Sequence, residues 1–105
     1  MEQSISVSVL DTLPQADEAK CDALLRGELA AGRIKLVILD DDPTGVQTVH
    51  DVSVYTDWSY ESVLSGFREE GRLFFILTNS RSFTAERTRR VHTEIAEAAA
   101  RAARE

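Results

Sequence analysis

The chain is 105 residues long and contains a single cysteine, two prolines, one tryptophan and two histidines. Each scarcity removes a class of explanation. Cys21 has no partner within the chain, so no disulfide framework holds this fold, and a reducing compartment is expected. A lone cysteine is usually a small apolar side chain, and no reactive role is assigned to it. His50 and His92 stand far apart, so no metal-ligand spacing is visible and no metal site is expected. No run approaches the roughly 18 apolar residues of a membrane span. The N-terminus lacks the basic region and apolar stretch of a signal peptide, and the expected location is cytoplasmic. Bases are fewer than acids. A net charge of −6 argues against general binding to nucleic acid. The five glycines are scattered, and no GxxxxGK phosphate loop occurs.

What is present is an ordinary globular composition, 43% hydrophobic and 29% charged, of a size for one small domain. The charge is uneven. Residues 34–80 carry eight acids against three bases, whereas residues 81–105 carry six arginines against four glutamates. The arginines Arg87, Arg89 and Arg90 read as a solvated helix face.

The chain is organised around Lys35–Thr48, KLVILDDDPTGVQT. A short unbroken apolar run predicts a strand over Lys35–Leu39, buried on both faces and therefore parallel. Three carboxylates follow where the strand must end, and Pro43 and Gly45 turn the chain. Before this, residues 1–13 alternate weakly through Ile5, Val7 and Val9, as a short edge strand or an arm. Asp17–Ala31 predicts a helix with Cys21, Leu24, Leu25 and Leu29 on one face and Gly32 as its stop. This divides the chain into an arm and helix, 1–33, and an α/β unit, 34–105.

A second strand is predicted over Asp51–Thr56. The connection to it, about eleven residues, is short for a parallel crossover. Either a very short helix crosses there, or the two strands are not neighbours. Asp57 or Ser59 caps a helix over Tyr60–Glu70, with Tyr60, Val63, Leu64 and Phe67 inward and Gly71 as its stop. Trp58 belongs to the core or wedges beside it. Leu73–Leu77 predicts another buried strand, ending in the polar loop Thr78–Ser82. A last helix runs from near Thr84 to Glu105, with Val91, Ile95, Ala98, Ala99 and Ala102 inward. Strand, helix, strand, helix is the rhythm of a parallel sheet. The fold class is α/β, a small parallel sheet with flanking helices. The chain stops inside a strong helix, so it is expected to be the N-terminal part of a larger two-domain protein. Exposed sheet edges predict either marginal stability or a homo-oligomer.

Two loops after parallel strands open on one sheet edge, where α/β folds bind ligands. One offers Asp40, Asp41, Asp42, Thr44, Gln47 and Thr48. The other offers Asn79, Ser80 and Arg81. Carboxylates accept from hydroxyls, and a guanidinium forks onto a carboxylate or phosphate. A ligand satisfying both loops carries several hydroxyls and an acid group, as a sugar acid does. Plainer roles stand beside these. Asp40 could cap a turn or pair with Lys35 or an arginine; Asp42, Thr44 and Gly45 could be turn formers; Arg81 could be a surface ion pair. Asp40-x-Asp42-x-Thr44 also matches the DxDxT of haloacid-dehalogenase-type phosphatases, with Asp40 as nucleophile and Asp42 as acid/base. The lysine and acidic pair that such enzymes carry on later strands are missing, and Pro43 and Gly45 fit that pattern poorly.

At LDDDPTGVQTVHDVSVYTDW and FFILTNSRS the chain resembles the N-terminal domain of the four-carbon acid sugar kinase family. The family's Asp-Asp-x-Thr-Gly loop reads here as Asp41–Gly45, and its Ser-Arg pair as Ser80-Arg81. Pro43 with Gln47-Thr48 resembles one branch of that family. The likeness covers residues 10–105. It implies an ATP-dependent kinase acting on a threonate, erythronate or oxo-tetronate type of sugar acid. By that resemblance Asp41 and Asp42 hold substrate hydroxyls, and one of them, taken as Asp42, is the general base. Thr44 and Gly45 shape the loop, and Ser80 and Arg81 hold the substrate carboxylate. The resemblance also implies that ATP and Mg2+ bind mainly outside this chain, in a C-terminal nucleotide-binding domain. The fragment alone would then be inactive. A non-catalytic sugar-acid-binding domain is the remaining alternative.

Overall fold

The computed structural model describes residues 4–105. They fall into two compact units divided between Arg33 and Ile34.

In the first unit, Val7–Thr12 is a 3-10 helix rather than a strand. Serines alternate with the apolar residues here, and their hydroxyls compete with strand pairing. The Ser6 hydroxyl accepts the Ser8 N–H (3.3 Å), and the Thr12 hydroxyl donates to the Val9 carbonyl (2.6 Å). Residues 1–3 of the expected arm lie outside the described residues. Helix α1 spans Glu18–Ala31, capped by the Asp17 carboxylate on the Lys20 N–H, with Gly32 just past its end. Cys21 is exposed, as are Leu24, Leu25 and Leu29.

The second unit carries β1 (Leu36–Asp40), β2 (Val54–Tyr55), α2 (Tyr60–Arg68), β3 (Leu73–Leu77) and α3 (Ala85–Ala102). The sheet is parallel in the order β1-β3-β2. The family of fold is α/β, as the strand–helix rhythm requires. Two expectations need correction. The strand at Leu36–Asp40 is not buried on both faces: it is an edge strand, paired only to β3, and Leu36 and Leu39 are exposed. The central position belongs to β3, where Phe74 and Ile76 are fully buried and Phe75 nearly so. The second correction is β2, which keeps only two of the six residues expected. Asp51 adopts a left-handed conformation (φ 55°) on one side. On the other, the Asp57 carboxylate accepts the Ser59 N–H and turns the chain into α2. Both answers to the short connection apply: a 3-10 turn at Gly45–Thr48 crosses it, and β3 lies between β1 and β2.

Ser59 caps α2, its hydroxyl accepting the Ser62 N–H. The helix ends earlier than expected, at Arg68, with Glu69 rather than Gly71 as its cap. Lys35 holds the corner that follows. Its ammonium donates to the Glu69 carbonyl (2.6 Å) and to the Gly71 carbonyl, filling orphan acceptors past the helix end. Lys35 therefore serves this corner and does not pair with Asp40.

The core gathers Val63 of α2, Phe74 and Ile76 of β3, and Val91, Ile95 and Ala102 of α3. Tyr55 and Phe67 meet Phe74 edge-on at 5.6 Å. Gly66 lets α2 approach the same ring: a Cβ there would lie 2.5 Å from it. Trp58 packs against this cluster and donates its indole N–H to Glu94 (3.1 Å). Thr84 caps α3, accepting the Arg87 N–H.

Candidate functional site

Parallel pairing in register, Asp40 opposite Leu77, delivers the two polar loops to one edge. The loops are then stitched to each other. The Thr78 N–H donates to the Asp40 carbonyl (2.9 Å), and the Arg81 N–H donates to the Asp41 carbonyl (3.2 Å). The Thr78 hydroxyl lies within donating distance of the Asp40 carbonyl (3.1 Å) and of Ser80 Oγ (2.9 Å). Thr78 and Ser80 are both buried. Ser80 thus braces the second loop from inside, and its hydroxyl faces Thr78 rather than solvent. Thr78 is not among the residues that the sugar-acid reading of the sequence assigns to the site. Its signal was slight: a threonine at the end of an apolar strand.

The first loop is shaped by its own side chains. Asp42 Oδ1 accepts both the N–H (2.8 Å) and the hydroxyl (2.6 Å) of Thr44. The Gly45 N–H closes the turn on the Asp42 carbonyl (3.0 Å). Gly45 is a packing requirement. A Cβ there would come within 2.3 Å of Asp40 Oδ1 and 2.4 Å of Oδ2. The Asp40 carboxylate occupies that space, and its Oδ1 accepts the Asp42 N–H (3.2 Å). Gln47 and Thr48 continue into the 3-10 turn and are exposed.

Arg81 joins the loops through its side chain. Nη1 donates to Asp42 Oδ2 (2.8 Å), Nε to Asp41 Oδ2 (3.3 Å) and Nη2 to Asp41 Oδ1 (3.4 Å). The Arg81 side chain is 67% exposed, so these contacts are made at the surface. Thr44 and then Arg81 hold the Asp42 carboxyl below the usual aspartate range. The structure therefore brings Asp41, Asp42, Thr44, Gly45 and Arg81 into one surface. Asn79 stands at its border in a left-handed conformation (φ 53°).

Asp40 is only 8% exposed. In this conformation its carboxylate lies beneath Gly45 rather than open to solvent. Among the described residues, no group of three His, Cys, Asp or Glu side chains is placed to hold a metal ion. Nor is any helix there long and apolar enough to cross a membrane.

The family model for the sugar-binding N-terminal domain matches residues 36–105, which takes in both loops and all three strands. No curated protein and no solved structure matches the chain.

Proposed function

The chain belongs to the sugar-binding N-terminal domain of the four-carbon acid sugar kinase family, and we propose that it is the sugar-acid-recognition half of an ATP-dependent kinase. The observation that carries this reading is the meeting of Arg81 with Asp41 and Asp42 across two loops. One pole of the surface takes hydroxyls and the other takes an acid group. A threonate, erythronate or oxo-tetronate type of ligand carries hydroxyls and an acid group on one short chain.

In this state the guanidinium spends three contacts on the two aspartates. A guanidinium has five N–H donors, and its side-on pair to Asp41 is long, at 3.3 and 3.4 Å, so a ligand carboxylate can compete for the same edge. A bound sugar acid would draw Arg81 onto its own carboxylate. Asp41 and Asp42 would then accept the ligand hydroxyls. The same exchange bears on proton transfer. With Arg81 and Thr44 attached, Asp42 is a weak base, its carboxyl held low. Moving Arg81 to the ligand removes the smallest of those influences, while the two Thr44 bonds remain until a ligand hydroxyl competes for them. Asp42 then becomes a better acceptor for the proton of the attacking hydroxyl.

ATP and Mg2+ are proposed to bind mainly outside this chain, on a C-terminal nucleotide-binding domain. The reading rests on the sequence, where no glycine-rich phosphate loop follows any of its strands. When bound, they would supply the phosphoryl group and neutralise its charge.

The test is calorimetric titration of the chain with a four-carbon sugar acid and, separately, with the neutral polyol of the same length. Saturable binding of the acid with much weaker binding of the polyol is expected. Equal affinity for the two would remove the carboxylate pocket from this reading.

A further inference from the structure

Asp40 holds the one buried side-chain polar atom, among the described residues, that has no hydrogen-bond partner: Oδ2. The rest of the residue is fully engaged. Its carbonyl accepts from Thr78, its Oδ1 accepts the Asp42 N–H, and Gly45 covers its carboxylate. Neither Lys35 nor Arg81 serves Oδ2. Lys35 is bound to the Glu69 and Gly71 carbonyls, and Arg81 is bound to Asp41 and Asp42. A buried acceptor of this kind is costly to the fold, because it has left water and gained nothing. Such a group calls for a donor that the chain itself does not provide.

Resting on the sugar-acid reading above, we infer that Asp40 is a third ligand-binding carboxylate, whose Oδ2 accepts a hydrogen bond from a hydroxyl of the bound sugar acid. The turn that hides Oδ2 runs from Asp42 to Gly45, and its Asp42 end is held by Arg81 (2.8 Å). When the ligand carboxylate takes Arg81, that turn loses its side-chain tie to the second loop and keeps only the Asp42 N–H on Asp40 Oδ1 and its own internal bonds, so that it can lift. The acid end of the ligand thereby opens the place into which its hydroxyl end fits. A neutral polyol lacks the group that releases Arg81, so it meets a closed floor.

Asp40→Asn separates use from mere tolerance. It is nearly isosteric, retains an acceptor for the Asp42 N–H, and removes the buried charge. The expected result has opposite signs in two measurements on the whole chain. The variant melts no lower than the original, while its affinity for a four-carbon sugar acid falls about tenfold or more, the loss of a charge-assisted bond. Unchanged affinity in Asp40→Asn, with the original chain still binding, overturns the role of Asp40 and leaves the sugar-acid reading intact. Failure of the original chain to bind any four-carbon sugar acid overturns that reading and this inference with it. Should Asp40→Asn fail to fold, the carboxyl carbon resonance of Asp40 in the original chain decides. It moves on saturation with erythronate or threonate if Oδ2 gains a donor, and its staying still overturns the inference.

Discussion

The Cα of Gly45 lies against the carboxylate of Asp40, leaving no room for a side chain: a Cβ would stand 2.3 Å from Oδ1. Asp40 ends a strand and Gly45 sits in the loop that follows, so this contact sets how that loop leaves the sheet. Gly45→Ala is expected to destabilise the chain by about 1–3 kcal/mol, the range for an overpacked site. Gly71→Ala is the control, since its Cβ would meet only the Leu73 carbonyl at an ordinary 3.8 Å. Denaturant unfolding should move the midpoint for the first variant and barely for the second.

The core predicts a coupled pair. Gly66→Ala drives a methyl into the Phe74 ring, 2.5 Å away, and should also cost roughly 1–3 kcal/mol. Phe74→Leu removes the part of the ring in the way, at its own cost in lost packing. In that background Gly66→Ala should cost clearly less. A double-mutant cycle by denaturant unfolding measures the coupling, and strict additivity would contradict the packing described.

Tyr55 carries a pH signature. Its hydroxyl donates to Glu69 (2.5 Å), and this bond, with burial and the Glu69 charge, raises its pKa to about 12. The unfolded chain loses that proton near the ordinary tyrosine value of 10.0, so between these limits the folded state holds more protons. The contribution is whole below pH 10 and drains away as pH rises towards 12. The stability difference between the original chain and Tyr55→Phe should therefore shrink across alkaline pH. A difference that stays constant up to pH 12 would mean that Tyr55 and Glu69 are not bonded in solution.

The missing phosphate loop predicts that this chain by itself binds Mg-ATP weakly. Calorimetric titration should show no low-micromolar affinity. Tight binding would bring the nucleotide site into this domain and undo the division of labour proposed above.

Much of this fold could be read from local pattern. Leu73–Leu77 is a strand from end to end, and Ser59 and Thr84 cap the helices that follow them. These features depend on neighbours in sequence: an apolar run, or a hydroxyl ahead of an amphipathic stretch. The misreadings depend on order in space. Leu36–Leu39 and Leu73–Leu77 look alike as runs, but only the latter has a strand on each side, and nothing local says which is central. Asp40 reads as one of three loop carboxylates, yet it is the last residue of β1 and is carried into the interior while Asp41 stays exposed. The gathering of Arg81 with Asp41 and Asp42 follows from two parallel strands ending together, which the strand–helix rhythm does imply. That Arg81 would be spent on those aspartates without a ligand does not follow from the sequence. It needs the loop-to-loop distance.

The most direct test of the account is the dissociation constant of a four-carbon sugar acid for the original chain and for Arg81→Lys. Lysine keeps the charge but loses the planar two-bond geometry. If Arg81 forks onto the ligand carboxylate, the change should cost on the order of 1.5–3 kcal/mol, a rise of roughly tenfold to hundredfold in that constant. An unchanged constant would contradict the account: Arg81 would then be a surface partner of Asp41 and Asp42 alone, and the carboxylate pocket would lie elsewhere.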